Sequence, residues 1–137
     1  MNIKRIIHLG IMAKAMEPVK KLYQDTLGLP LGHEELYEGT VDISFLPVGD
    51  SSVEIFADNP VTGTGDVTQE IEELGGEGIH HVAFEVDDLD GALDELKAKN
   101  VPIREGDPRP GAHDTRIAFL DISATHGVLI ELVECAA

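Results

Sequence analysis

Residues 78–88, GIHHVAFEVDD, constrain the fold of this chain more than any other stretch. Alternation along a strand sends His80, Val82, Phe84 and Val86 to one side and His81, Ala83 and Glu85 to the other. The first side reads as core. The second reads as a polar, roomy concavity, and it carries His81. The same grammar opens the chain, where Ile6, His8, Gly10 and Met12 alternate with Ile7, Leu9 and Ile11. There too a histidine shares its face with a very small residue two positions on.

Between these two strands the pattern predicts a complete module. Residues 3–12 form the first strand. A helix over 15–27 follows, with Met16, Val19, Leu22, Tyr23 and Leu27 as its buried stripe, Pro18 in its first turn and Gly28 as its stop. Strands over 30–37, 41–48 and 52–57 come next, separated by Gly39 and by the turn Gly49-Asp50-Ser51. A Pro-, Thr- and Gly-rich segment and a short acidic helix over 66–74 link this half to a second one. The second half has a strand over 79–86, a helix over 89–99 with Leu89, Ala92, Leu93 and Leu96 inward, and strands over 101–104, 115–121 and 128–134. The expected fold is therefore α+β, with the order βαβββ occurring twice in a single domain, over residues 1–58 and 78–137. A unit too small to bury its own sheet stacks on a copy of itself, and two such open sheets enclose a cleft.

Spacing supports the repeat. His8 and His81 are 73 residues apart, and Glu54 and Glu131 are 77 apart. Each half thus carries a histidine on its first strand and a glutamate on its last. Taken singly, each is an ordinary strand residue. Taken together, two imidazoles and two carboxylates form a normal ligand set for a divalent transition metal, and in an octahedral ion they leave two adjacent positions open. Glu131 lies in VLIELV, a run apolar on both faces, where a bare carboxylate is expensive to bury. It is paired, protonated or metal-bound, or else it faces solvent from an edge strand. His80 reads as structural, and His33, His113 and His126 as surface residues in turns.

With 137 residues the chain fits one domain. Its formal net charge of −16, from 26 acidic and 10 basic residues, argues against nucleic acid or an anionic membrane as partner. The single cysteine, Cys135, cannot form an intrachain disulfide. No apolar stretch reaches the length of a membrane helix and no signal peptide is evident. The expected compartment is the cytoplasm.

These segments resemble the vicinal oxygen chelate superfamily, which includes glyoxalases, bleomycin resistance proteins and dioxygenases. Within it they are most similar to the methylmalonyl-CoA epimerases. The likeness runs through IIHLGIMA, LYQDTLGL, FLPVGDSSVEIF, GEGIHHVAFEVDDLDGALDELKAKNV, PRPGA and GVLIELVE. GEGIHHVAFEVDD and GVLIELVE are the pieces that favour the epimerases.

The resemblance implies paired βαβββ modules around a metal held by His8, Glu54, His81 and Glu131. The metal would be cobalt or manganese, with zinc or nickel as alternatives. It also implies epimerisation at C2 of methylmalonyl-CoA through a metal-stabilised enolate, with Glu131 and Asp42 as the acid–base pair. Asp42 stands where a glutamate occurs in one family pattern. The implied partners are an acyl-CoA substrate and a second copy of the chain in a homodimer. Where the family often has a lysine-bearing turn, this chain reads DISATH. Arg104, Arg109, Arg116 and Lys14 are the candidate cations for CoA phosphates.

A glyoxalase I type lyase would use the same four ligands. A non-catalytic binding or resistance module of the same fold often lacks some of them. An extradiol dioxygenase needs only two histidines and one glutamate around iron.

Overall fold

A computed structural model describes residues 1–136; Ala137, the last residue of the expected second half, lies outside them. The elements are β1 (Ile3–Met12), α1 (Met16–Lys21), β2 (Glu34–Tyr37), β3 (Val41–Val48), β4 (Ser51–Asp58), α2 (Asp66–Leu74), β5 (Gly78–Val86), α3 (Leu89–Ala98), β6 (Arg109–Gly111), β7 (Thr115–Phe119) and β8 (Ile130–Cys135). The order βαβββ occurs twice, with α2 between, as the strand periodicity predicts. No helix among the described residues is long and apolar enough to cross a membrane.

Contacts group the chain into two compact units, one of residues 9–80 and one of residues 1–8 with 81 onward. Strand β1 gives its second half to the first unit and its first half to the second.

In the unit of residues 9–80 the strand order is β2-β3-β4-β1. Strands β2, β3 and β4 form an antiparallel meander, and Val48 pairs with Ser51 across a two-residue turn. Gly49 enters that turn at φ 57°, a conformation that favours glycine. One face of the sheet carries Leu46, Ile55 and Ala57, buried with Ile11 and Ala13; Met16, Val19 and Tyr23 from the helical segment pack against it.

The helix departs from expectation. It is α-helical only to Lys21 and continues as a π-turn over Leu22–Thr26, closed by a hydrogen bond from the Leu27 amide to the Leu22 carbonyl. The wider turn rotates Leu27 off the 3.6-residue stripe, and Leu22 and Leu27 both stay exposed instead of joining the core. Further along, the Asp58 carboxylate accepts bonds from the amides of Val67 and Thr68 and from the Thr68 hydroxyl, capping the first turn of α2 from outside the helix.

In the other unit the order is β1-β5-β8-β7-β6. Strand β5 pairs parallel with β8, and the remaining two pairings with known register are antiparallel. Asp88 caps α3 through the Gly91 amide. Leu89, Ala92 and Leu96 then bury against Val86, Ala118 and Leu132, on the face that the alternation of residues 80–86 marks as core. The opposite face differs from the roomy polar surface expected of it. Ala83 is fully buried there with Ile117, Phe119 and Val133, so His81 and Glu85 project from a largely apolar floor.

The strand expected over 101–104 is reduced to a single bridge between Ile103 and Leu120. The regular strand forms instead at β6.

The buried carboxylate of Glu85 is held by Arg5, whose Nε lies 2.7 Å from Oε1, with Lys4 Nζ 3.9 Å from Oε2. Burial alone pushes this carboxyl up. Hydrogen bonds from Arg5 and the Cys135 thiol, with the charges of Arg5 and Lys4, outweigh burial and hold it below its ordinary value of 4.5. Its contribution to stability is therefore complete above pH 4.5 and is lost as pH falls through the lower folded value. Replacing Arg5 by Met is expected to destabilise the protein by about 1–3 kcal/mol at pH 7. The gap from wild type should narrow below pH 4.5, and urea unfolding at several pH values measures both effects.

Candidate metal centre

Three of the four residues selected by the repeat meet within the second unit. His8 comes from β1, His81 from β5 and Glu131 from β8. The parallel register sets Ala83 beside Glu131, which places His81 and Glu131 on one face of neighbouring strands. All three are buried, with exposures of 6%, 4% and 5%. The edge orientation expected as one possibility for Glu131 is not adopted, since β8 lies between β5 and β7.

Their ligand atoms converge. His8 Nε2 is 3.0 Å from His81 Nε2 and 3.0 Å from Glu131 Oε1, and His81 Nε2 is 3.6 Å from the same oxygen. Glu131 Oε1 is sealed from solvent and has no aligned hydrogen bond. Phe119, directly opposite Glu131 on β7, meets His81 edge to face at 5.4 Å between ring centroids.

A buried acceptor without a donor is costly, and two imidazole nitrogens turned on one carboxylate oxygen describe a cation site. Metal–ligand bonds of about 2.1 Å set neighbouring donor atoms about 3.0 Å apart in an octahedron and about 3.4 Å apart in a tetrahedron. The observed separations span that range. The donor set therefore fits a divalent ion of borderline softness, which takes both imidazole nitrogen and carboxylate oxygen.

Glu54 is placed on β4 in the other unit. It is buried, opposite Phe45 and on the same face as Phe56 two residues on. His80 Nε2 lies 2.5 Å from Glu70 Oε1, and its ring meets that of Phe56 at 5.1 Å, so its role is structural, as alternation suggests.

Asp42 does not join Glu54. The register Asp42↔Ala57 and Phe45↔Glu54 sends the two carboxylates to opposite faces of the same hairpin. Asp42 points to the side of Leu46, Ile55 and Ala57, where the α1 segment packs, and its Oδ1 accepts a bond from Asn59 Nδ2 at 2.9 Å. Asn59 Oδ1 in turn accepts from the amides of Val61 and Thr62. Asp42 thus anchors the turn after β4, on the opposite face of its hairpin from Glu54.

Of the expected cations, Arg116 pairs with Asp90 at 2.9 Å. Arg104 and Arg109 lie along the β7 edge of the sheet that holds Glu131. Two supporting residues escape the sequence reading. Phe119 braces His81, and Asp107, its side chain almost fully buried, accepts the Phe119 amide at 2.7 Å. The alternation of Thr115, Ile117 and Phe119 was the available signal, but it gains meaning only once β7 is registered against β8.

The model of the Glyoxalase/Bleomycin resistance protein/Dioxygenase superfamily matches residues 7–119. An uncharacterised Bacillus subtilis protein, YqjC, is 32% identical over 96% of this chain and 93% of its own. The ethylmalonyl-CoA/methylmalonyl-CoA epimerase of Cereibacter sphaeroides is 29% identical over 95% of this chain and 97% of its own. Among solved structures, a variant of Streptomyces coelicolor methylmalonyl-CoA epimerase in complex with 2-nitronate-propionyl-CoA superposes with a TM-score of 0.85 at 30% identity, covering 99% of this chain and all of that one. With a family match running through most of its length, the chain belongs to the Glyoxalase/Bleomycin resistance protein/Dioxygenase superfamily.

Proposed function

We propose that this chain is a metal-dependent epimerase of methylmalonyl-CoA, interconverting the R and S forms by removing and returning the C2 proton. One observation carries the reading: the buried Glu131 oxygen set against two imidazole nitrogens, in a chain similar to named epimerases over nearly its whole length. His8, His81 and Glu131 would hold a divalent ion, cobalt or manganese first, with Glu54 as the fourth ligand. When bound, such an ion supplies Lewis-acid stabilisation for the charge that develops on the substrate's carbonyl and carboxylate oxygens.

The chain's own residues do the rest. Glu131 turns Oε1 to the imidazoles, which leaves Oε2 to move the C2 proton on one face of the enolate; inversion requires that a second acid deliver the proton to the opposite face. Phe119 fixes His81, and the apolar floor of Ala83, Ile117 and Val133 excludes water from the carbanionic carbon. Asp42, turned to the opposite face of its hairpin from Glu54, has no part in the transfer. The two modules work as one domain, in a cytoplasmic homodimer. The likeness to a bacterial epimerase supports that setting.

Deuterium incorporation at C2 of methylmalonyl-CoA in D2O, followed by NMR, tests the assignment. Metal-stripped protein should be inactive and recover with Co²⁺ or Mn²⁺. Glu131→Gln should lower the exchange rate by about 10²-fold or more. No exchange with any metal, alongside turnover of a methylglyoxal–thiol adduct, would move the protein to the lyases.

The same assay separates the two carboxylates of the expected acid–base pair. Asp42→Asn keeps an acceptor for Asn59 but cannot carry a proton, and it should leave both the exchange rate and the melting temperature within error of wild type. A drop as large as that of Glu131→Gln would restore Asp42 to the chemistry.

A further inference from the structure

The site face of the unit that holds His8, His81 and Glu131 continues past Phe119 to the edge of the sheet, and two arginines stand there. Arg104 donates its amide to the Phe119 carbonyl at 2.9 Å and lays its guanidinium over the Phe119 ring, with Cζ 4.7 Å from the centroid. Arg109 pairs with Ile117 across β6 and β7. Since Ile117 lies opposite Val133 and Phe119 opposite Glu131, alternation puts Arg109 on the Glu131 side as well.

The other three arginines of this unit have carboxylate partners, Arg5 with Glu85, Arg116 with Asp90 and Arg109 with Asp107. Arg104 has none among the described residues. Arg109 Nε is buried 3.4 Å from Asp107 Oδ1, an ion pair without an aligned hydrogen bond; the other oxygen of Asp107 accepts the Phe119 amide.

We propose that Arg104, with Arg109 beside it, recognises the anionic oxygens of the thioester substrate at this site. The inference rests on the epimerase assignment and adds a specificity-determining residue to it. A protein of net charge −16 repels an anionic thioester at long range, and only cations within about a Debye length, roughly 8 Å, can offset this locally. A guanidinium stacked on an aromatic ring keeps its N–H edge free in a planar fork that matches carboxylate or phosphate. Phe119 is also the ring that braces His81, so Arg104 is separated from the metal ligands by one side chain. Two parts of the substrate offer such oxygens, the acyl carboxylate and the CoA phosphates.

The test is a set of calorimetric dissociation constants for the metal-loaded wild type, Arg104→Gln and Arg104→Lys. The probes are malonyl-CoA, propionyl-CoA, malonyl-pantetheine and propionyl-pantetheine. Loss of a charged hydrogen bond should weaken binding by about tenfold or more. A loss in Arg104→Gln confined to the two malonyl thioesters assigns the arginine to the carboxylate. A loss confined to the two CoA thioesters assigns it to the phosphates. Arg104→Lys, which keeps the charge and is the milder change should the Gln variant melt early, should retain part of the affinity.

Equal affinity of wild type and Arg104→Gln for all four probes would overturn the proposal, as would an equal loss that includes the uncharged propionyl-pantetheine. Absence of deuterium exchange in the wild type would instead sink the epimerase assignment itself. Exchange in the wild type with unchanged selectivity in Arg104→Gln would sink this inference alone.

Discussion

Burial of the Glu131 carboxylate is the constraint on which the rest of the second unit depends. Strand β8 runs between β5 and β7 and presents apolar side chains on both faces. An ionised carboxylate there loses its water and must be compensated by whatever its neighbours supply. The fold brings His8 from β1 and His81 from β5 to the same oxygen. That meeting requires β5 to run parallel to β8 with Ala83 at the level of Glu131. A small residue at position 83 leaves the floor between the imidazole and the carboxylate filled by Ile117, Phe119 and Val133, and these hold the donors in one place.

The sheet of this unit is therefore apolar on both sides for different reasons. One side is covered by α3 through Leu89, Ala92 and Leu96, which is ordinary core. On the other, apolar residues form the floor from which His81, Glu131 and Glu85 rise. Strands buried on both faces lose the clean alternation of polar and apolar residues, and GIHHVAFEV and IELVEC both show that loss. Most polar residues that remain have specific partners, Glu85 in Arg5 and Lys4, His80 in Glu70 and Glu134 in the Leu89 amide, while the buried Glu131 oxygen faces His8 and His81 without an aligned hydrogen bond.

Much of this was legible beforehand because it follows from periodicity. The limits of β1, β3, α2, β5 and α3 fall within a residue of those expected, since each is a run with one clear period bounded by Gly, Pro or a capping Asp. The grouping of His8, His81 and Glu131 was foreshadowed by the repeat, which selected these three positions together with Glu54. The failures lie where local geometry departs from the ideal period. A π-turn added one residue to a helical repeat and turned Leu27 outward. The second strand of the second module lies not at residues 101–104, where only the Ile103–Leu120 bridge forms, but at β6, which carries Arg109.

The placement of Asp42 shows how much one residue of turn length decides. With Gly49-Asp50-Ser51 read as a three-residue loop, Val48 would face Ser52, Leu46 would face Glu54, and Asp42 would share the Glu54 side of the hairpin as an acid–base partner should. The actual loop is Gly49-Asp50 alone, Val48 pairs with Ser51, and Phe45 faces Glu54. A slip of one residue reverses every side chain on one strand relative to the other. Asp42 accordingly lies on the side covered by the α1 segment, where its carboxylate holds Asn59. The residue on β3 that shares the Glu54 face at this level is Ile43, paired with Phe56, and it has no proton to offer. Within residues 9–80 Asp42 and Glu54 therefore face opposite sides of one hairpin, and the side that Asp42 takes is the one packed by the α1 segment.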